Sequence, residues 1–175
     1  MEQMEFLMHM ARTKMSSVDG QEMLYQLTSV PEIGQKELAK RVGAYHSTVS
    51  KMMAKHEKSG AVEIKHEGKE TIYSLAPNYA VHLDDDMTVE LKRVFEKKEQ
   101  VKGNAYRILF ALMADSPHTQ KEIVEMLDWN SGSVSVAIRQ LLALNMIESV
   151  IDKNGQIAYQ YTTKWREGGA ITSET

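Results

Sequence analysis

The chain has no cysteine, so it holds neither a disulfide nor a cysteine-ligated zinc, and nothing in it calls for an oxidising compartment. It has no apolar run near the roughly 18 residues that a membrane-spanning helix needs. The opening stretch MEQMEFLMHMARTK puts acids before any base, which is not the pattern of a secretory signal. The cytoplasm is the expected compartment. The six histidines (His9, His46, His56, His66, His82, His118) fall at no paired metal-ligand spacing, and no His-Glu-x-x-His occurs. Asp84, Asp85 and Asp86 are consecutive on what reads as an extended segment, so they suit a helix start better than a cation site. No phosphate-binding glycine loop, Ser-x-x-Lys or Gly-x-Ser-x-Gly elbow is present. The residues point to no enzyme, no cofactor and no metal.

What is present is an ordinary globular composition. Hydrophobic residues make up 42% and charged residues 26% of 175 residues, enough for one large domain or two small ones. Net charge is −3 with histidine neutral, so the chain as a whole does not advertise nucleic-acid binding. By region the balance differs. Residues 32–80 carry eight Lys/Arg against six Asp/Glu, and residues 104–165 carry five against six. The more basic half comes first.

The chain repeats itself. Displaced by 85 positions, Gln35-Lys36-Glu37 falls on Gln120-Lys121-Glu122, Val49-Ser50 on Val134-Ser135, and Val62-Glu63 on Ile147-Glu148. Both copies then run into alternating apolar sequence broken by a glycine, AVEIKHEGKETIYSLAP around Gly68 and MIESVIDKNGQIAYQYTTKW around Gly155. Such alternation on both sides of a polar turn predicts a hairpin. In the first copy the spacing predicts helices over Glu22–Thr28, Gln35–Val42 (Leu38, Ala39 and Val42 inward) and Ser47–Lys58 (Val49, Met52 and Met53 inward). Gly43 suits the helix-ending position of positive φ. In the second, Thr119 to Glu122 is a capping box, and Val134, Ala137, Ile138, Leu141 and Leu142 face inward. Between the copies, three aspartates favour a helix start and Leu91, Val94, Phe95 and Val101 trace a stripe that Gly103-Asn104 interrupts. Met4, Leu7, Met8, Ala11 and Met15 share one face of an N-terminal helix. The expected division is residues 1–16 as that helix, 17–82 as the first unit, 83–103 as a helical linker, 104–166 as the second unit, and 167–175 as a flexible tail.

Gln35 to Lys55 resembles a helix-turn-helix, with Ala39 at the close approach, Gly43 at the turn, and Val49 and Met52 locking the second helix. With its hairpin, and with STVSK followed by KSGAVE, the unit is similar to the winged helix-turn-helix of bacterial and archaeal transcription regulators, including the MarR and ArsR-like groups. The second unit departs from the pattern, with Val124 for the small residue and Asp128 for the glycine. The resemblance implies a mainly α fold with small β-hairpin wings, in two tandem winged helix-turn-helix domains joined by a helical linker. It also implies double-stranded DNA as partner, with the third helix in the major groove and the wing on phosphate or the minor groove. Carried over, the contact residues are Tyr45, His46, Ser47, Thr48, Ser50, Lys51 and Lys55, with Lys65, His66 and Lys69 at the wing. In the second unit they are Asn130, Ser131, Ser133, Ser135, Arg139 and Lys153. The bland reading of Ser47-Thr48 is a helix N-cap, and Trp129 reads as a packing or interface residue. The cysteine and histidine clusters of metal-sensing members are missing.

The expected function is a sequence-specific DNA-binding regulator, a repressor by steric occlusion, paired as a homodimer through its N-terminal or linker helices. Two alternatives stand beside it: a plasmid or phage replication or partition factor, and a tandem winged-helix protein–protein scaffold. The second unit either reads a weaker half-site or has become a partner-binding or dimerisation module.

Overall fold

The computed structural model describes residues 1–102 and 104–166; the expected tail at 167–175 and the break at Gly103 lie outside them. The chain forms two compact units, residues 1–6 with 15–99 and residues 7–14 with 100–175. The N-terminal helix α1, Gln3–Arg12, therefore starts in the first unit and has its body in the second. Its buried residues are Phe6, Leu7, Met10 and Ala11. The expected face includes Met4, which is exposed, and Met8, which is half-buried. Helical spacing thus places Leu7, Ala11 and Met15 correctly, misplaces Met4 and Met8, and misses Phe6 and Met10.

The first unit continues with α2 (Asp19–Leu27), β1 (Ile33–Gly34), α3 (Gln35–Val42), α4 (His46–Lys58), β2 (Val62–Glu67), β3 (Glu70–Leu75) and α5 (Asp85–Glu96). Its sheet has the order β1-β3-β2, all antiparallel. Leu38, Ala39, Val42, Val49, Met52, Met53, Val62 and Ile72 are buried there as the helical and alternating spacings require, and Tyr73, on the opposite face of β3 from Ile72, is buried as well. Asp84 is the N-cap of α5, its Oδ1 accepting from Met87 N at 2.7 Å.

The second unit holds α6 (Ala105–Ala114), α7 (Gln120–Leu127), α8 (Ser131–Ala143), β4 (Ile147–Ile151) and β5 (Ile157–Tyr161). Thr119 and Glu122 form the expected capping box on α7. The β4–β5 hairpin is antiparallel, and His118 bridges Tyr159 beside it. Of the expected inward residues of α8, Val134, Ala137, Ile138 and Leu141 are buried; Leu142 is half-buried, because it falls off that stripe.

Positions 85 apart make the same bonds inside each unit. Gly43, which ends α3, has φ 74°, and Asp128, which ends α7, has φ 46°. Ala44 N donates to Ala39 O at 3.0 Å; Trp129 N donates to Val124 O at 3.2 Å. Gly60 (φ 85°) and Asn145 (φ 58°) turn the chain from α4 into β2 and from α8 into β4. The bridge of His118 to Tyr159 corresponds to the pairing of Ile33 with Tyr73, with the second strand displaced by 86 because its hairpin turn is one residue longer.

A cation serves the last carbonyl of α3 and of α7. Lys98 Nζ donates to Val42 O at 2.6 Å and to Glu22 and Asp19 carboxylates at 2.8 and 3.0 Å. Burial draws the Lys98 ammonium down, but those bonds outweigh it and lift it above the ordinary lysine range. Burial raises the Glu22 carboxyl, and Lys98 offsets only part of that. In the second unit Arg107, 85 positions on from Glu22, does the task alone. It is buried and donates from Nη2 to Leu127 O and from Nε to Ala11 O, both at 2.8 Å. Burial lowers its pKa, and the nearby Asp128 charge works against that. Carbonyls at a helix C-terminus carry the negative end of the dipole, so both are natural seats for a cation.

Arg107→Met keeps most of the side-chain bulk and leaves both carbonyls without a donor. The expected cost is about 2–4 kcal/mol, read from the urea midpoint by circular dichroism; an unchanged midpoint contradicts the assignment.

Candidate nucleic-acid interface

Helix α4 has two chemically distinct sides. Val49, Met52, Met53 and His56 are buried, and His56 Nε2 lies 2.8 Å from Gly20 O, tying the helix to the start of α2. On the other side Ser47, Ser50, Lys51 and Lys55 are exposed, with Tyr45 83% exposed just ahead of them. Helix α4 begins one residue earlier than its spacing predicts. Its N-cap is Tyr45, extended at φ −73°, ψ 151°, with no side-chain cap hydrogen bond. Ser47 and Thr48 therefore sit inside the first turn and do not cap it, so the bland reading of the hydroxyl pair fails. The first-turn amides together with exposed hydroxyls and ammonium groups suit phosphate oxygens and base edges.

Gln35 holds α4 in place. Its Nε2 donates to His46 O at 3.0 Å, joining the first residue of α3 to the first residue of α4. A groove of about 560 Å³ beside this junction is lined by Lys36, Lys40, Gly43, Ala44, His46 and Glu70 among others. Lys36 and Lys40, both exposed, are absent from the residues expected from sequence. Their i, i+4 spacing on the polar face of α3 was the available signal.

The first wing is less basic than its lysines suggest. Over residues 62–75, Glu63, Glu67 and Glu70 outnumber Lys65 and Lys69. Lys65 is already taken, at 2.8 Å from Glu32 and 3.0 Å from Glu67. Its bonds to Glu32 and then to Glu67 raise its pKa. His66 Nδ1 lies 3.3 Å from Thr71 Oγ1. Lys69 is exposed beside the turn glycine Gly68 (φ 63°) and is the cation the wing leaves available.

The candidate residues of the second unit are mostly engaged in building it. Asn130 is the N-cap of α8, its Oδ1 accepting from Ser133 N at 2.8 Å. Ser131 receives Gln120 Nε2 on its carbonyl at 3.3 Å and on its hydroxyl at 3.2 Å; this is the Gln35–His46 bond again. Ser133 and Ser135 are half-buried. Trp129 lies under the Arg107 guanidinium, 5.0 Å from its ring centroid, a packing role. Arg139 and Lys153 are exposed. The places of Lys51 and Lys55 are held by Val136 and Gln140.

Among the described residues no group of three or more His, Asp or Glu is placed to hold a metal ion, and no helix is long and apolar enough to cross a membrane.

Residues 103–148 match the family of winged helix-turn-helix DNA-binding domains. The matched stretch is the unit whose motif departs further from the expected pattern; Asp128 there takes the left-handed backbone of the glycine it replaces. The chain is also similar to reduced HlyU from Vibrio cholerae N16961, at 16% identity over 54% of this chain and 87% of that one, with a TM-score of 0.34. It is similar to the PcaV transcriptional regulator from Streptomyces coelicolor in complex with its natural ligand, at 14% identity over 79% and 81%, TM-score 0.36. ScpB from Mycobacterium tuberculosis gives 15% identity over 89% and 98%, TM-score 0.34. No curated protein matches the sequence. Overlaps at that level leave function to be read from the site itself.

A Cβ on Gly43 would meet nothing within 4 Å, so Gly43→Ala tests its backbone alone. The expected loss is about 1–2 kcal/mol from the left-handed conformation, with Gly43→Asp costing less, as Asp128 already adopts it. Equal stability of Gly43→Ala and the natural chain in urea unfolding would show that the junction is not constrained.

Proposed function

We propose that the chain is a double-stranded-DNA-binding transcription regulator built as a tandem of two winged helix-turn-helix domains, with α4 as its reading helix. The observation that carries this is the outer side of α4. Tyr45, Ser47, Ser50, Lys51 and Lys55 stand exposed on one helix, and none of their side chains is bonded to another described residue. Lys69 adds a phosphate contact from the wing, and Lys36 and Lys40 add charge beside the groove. The bonds repeated at 85-residue spacing support the tandem, and the family match over residues 103–148 supports the DNA-binding class. Repression follows by steric occlusion when α4 occupies a promoter groove. The protein acts in the cytoplasm, where its DNA is.

A scaffold role has one specific observation in its favour, the replacement of Lys51 and Lys55 by Val136 and Gln140 in the second unit. It bears on that unit alone and leaves α4 without an explanation.

Fluorescence anisotropy of a duplex across a salt series tests the reading. Each phosphate-contacting lysine contributes close to one unit to the slope of log affinity against log salt. Lys51→Glu/Lys55→Glu should abolish measurable binding at moderate salt. Lys69→Ala should reduce the slope by about one, and Lys65→Ala by much less, since its charge is held by Glu32 and Glu67. Unchanged affinity in the double variant would sink the assignment.

A further inference from the structure

The surface of the second unit that corresponds to the reading surface of the first has lost the two helix lysines and gained exposed apolar residues. Val136, in the place of Lys51, is 60% exposed. In the first wing, His66 and Thr71 are cross-strand partners; by strand register their counterparts are Ile151 and Ile157, also partners, and these are 69% and 61% exposed. The alternation of the hairpin predicts these isoleucines as part of the wing's packed pattern, whereas Ala158 is the buried residue of β5. Three large β-branched apolar residues standing in water at a unit's recognition surface call for a cover.

We infer that this surface pairs with the same surface of a second copy of the chain, the isoleucine-tipped hairpin of each copy seating in the α8 groove of the other. The inference rests on the reading of α4 as the DNA-contacting helix. Three observations select a second copy as the occupant. The unit carries both halves of a self-complementary contact, as a two-fold interface requires. The protrusion is the Ile151–Ile157 pair; the recess is a groove of about 610 Å³ whose lining includes Trp129, Val136 and Ala137. Charge also fits. Lys102, on the groove's rim, is exposed and has no ion pair among the described residues. At the hairpin turn Asp152 uses one oxygen, Oδ1, for both Asn154 N and Gln156 N, at 2.8 and 2.9 Å, leaving Oδ2 to meet that lysine. Lys153 beside it leaves the turn with no net charge, so two copies meet without repulsion. Finally, one chain offers a single cationic reading helix with few phosphate contacts. Specific duplex recognition by helix-turn-helix proteins is commonly shared between two such helices on two half-sites.

The pairing differs in place from one made through the N-terminal or linker helices. The exposed face of α1 keeps only Met4 as a large apolar residue, while Phe6, Leu7, Met10 and Ala11 are buried within the chain.

Sedimentation velocity of the full chain without DNA tests the inference. The expected species is twice the 19.8 kDa chain mass, and Ile151→Asp/Ile157→Asp should convert it to the single-chain mass, with an unchanged circular dichroism spectrum. Val136→Asp, on the groove side, should weaken self-association at least tenfold. A single-chain species for the natural protein at micromolar concentration overturns the inference, as does a dimer indifferent to all three substitutions. Lys51→Glu/Lys55→Glu should remain dimeric, so failure of the DNA reading and failure of the pairing are told apart.

Discussion

A left-handed residue between two short helices is the constraint on which each unit depends. At Gly43 and at Asp128 the backbone takes positive φ, and the next amide closes back onto the carbonyl of Ala39 or Val124. That geometry ends α3 or α7 abruptly and redirects the chain before the next helix begins. A glutamine then fixes that next helix. Gln35 bonds the first residue of α4, and Gln120 the first residue of α8. The angle between the two helices is thus set by one dihedral preference and one side-chain hydrogen bond. The proposed role of α4 depends on that angle, because a rigidly presented helix brings its first turn to base edges at a repeatable depth.

The two units meet a second requirement with different chemistry. The last carbonyl of the helix before the turn lacks an intrahelical donor, and each unit brings it a cation. In the first, Glu22 recruits Lys98, which reaches Val42 O; in the second, Arg107 occupies the position corresponding to Glu22 and reaches Leu127 O directly. The guanidinium also spans to Ala11 O and stacks on Trp129. A planar five-donor group is suited to such bridging, whereas an ammonium needs carboxylates to hold it. Trp129 lines the α8 groove, while its counterpart Ala44 lines the groove beside α4.

Most of the fold is legible in the sequence because its punctuation is chemical. Gly43 announces a left-handed turn, Thr119 and Glu122 announce a capping box, and Asp84 announces a helix start. Apolar spacing locates the cores of α3, α4 and α8. The failures have physical reasons. Nearly every position of the opening helix from Met4 to Ala11 is apolar or weakly polar, so helical spacing alone does not say which methionines go inside. The start of α4 falls one residue before the expected one because serine and threonine are favoured caps, and here an uncapped tyrosine takes the position. Lys65 looks like a free cation in the sequence, yet Glu67 on its own strand and Glu32 just ahead of β1 neutralise it. The contact with Glu32 exists only once β1 and β2 share a sheet. Ile151 and Ile157 look like packed wing residues because alternation says which residues share a face, not whether anything covers that face.

We propose a division of labour between the two units, in which α4 reads the duplex and α8 does not. Amide NMR of the full chain, titrated with a duplex it binds, tests this most directly. Shifts concentrated at Ala44 to Lys55 and around Lys69 are expected, with the residues from Ser131 to Gln140 unmoved. Shifts of equal size along α8 would make both units readers, and shifts confined to α8 would make the second unit the reader; either overturns the assignment of α4 alone.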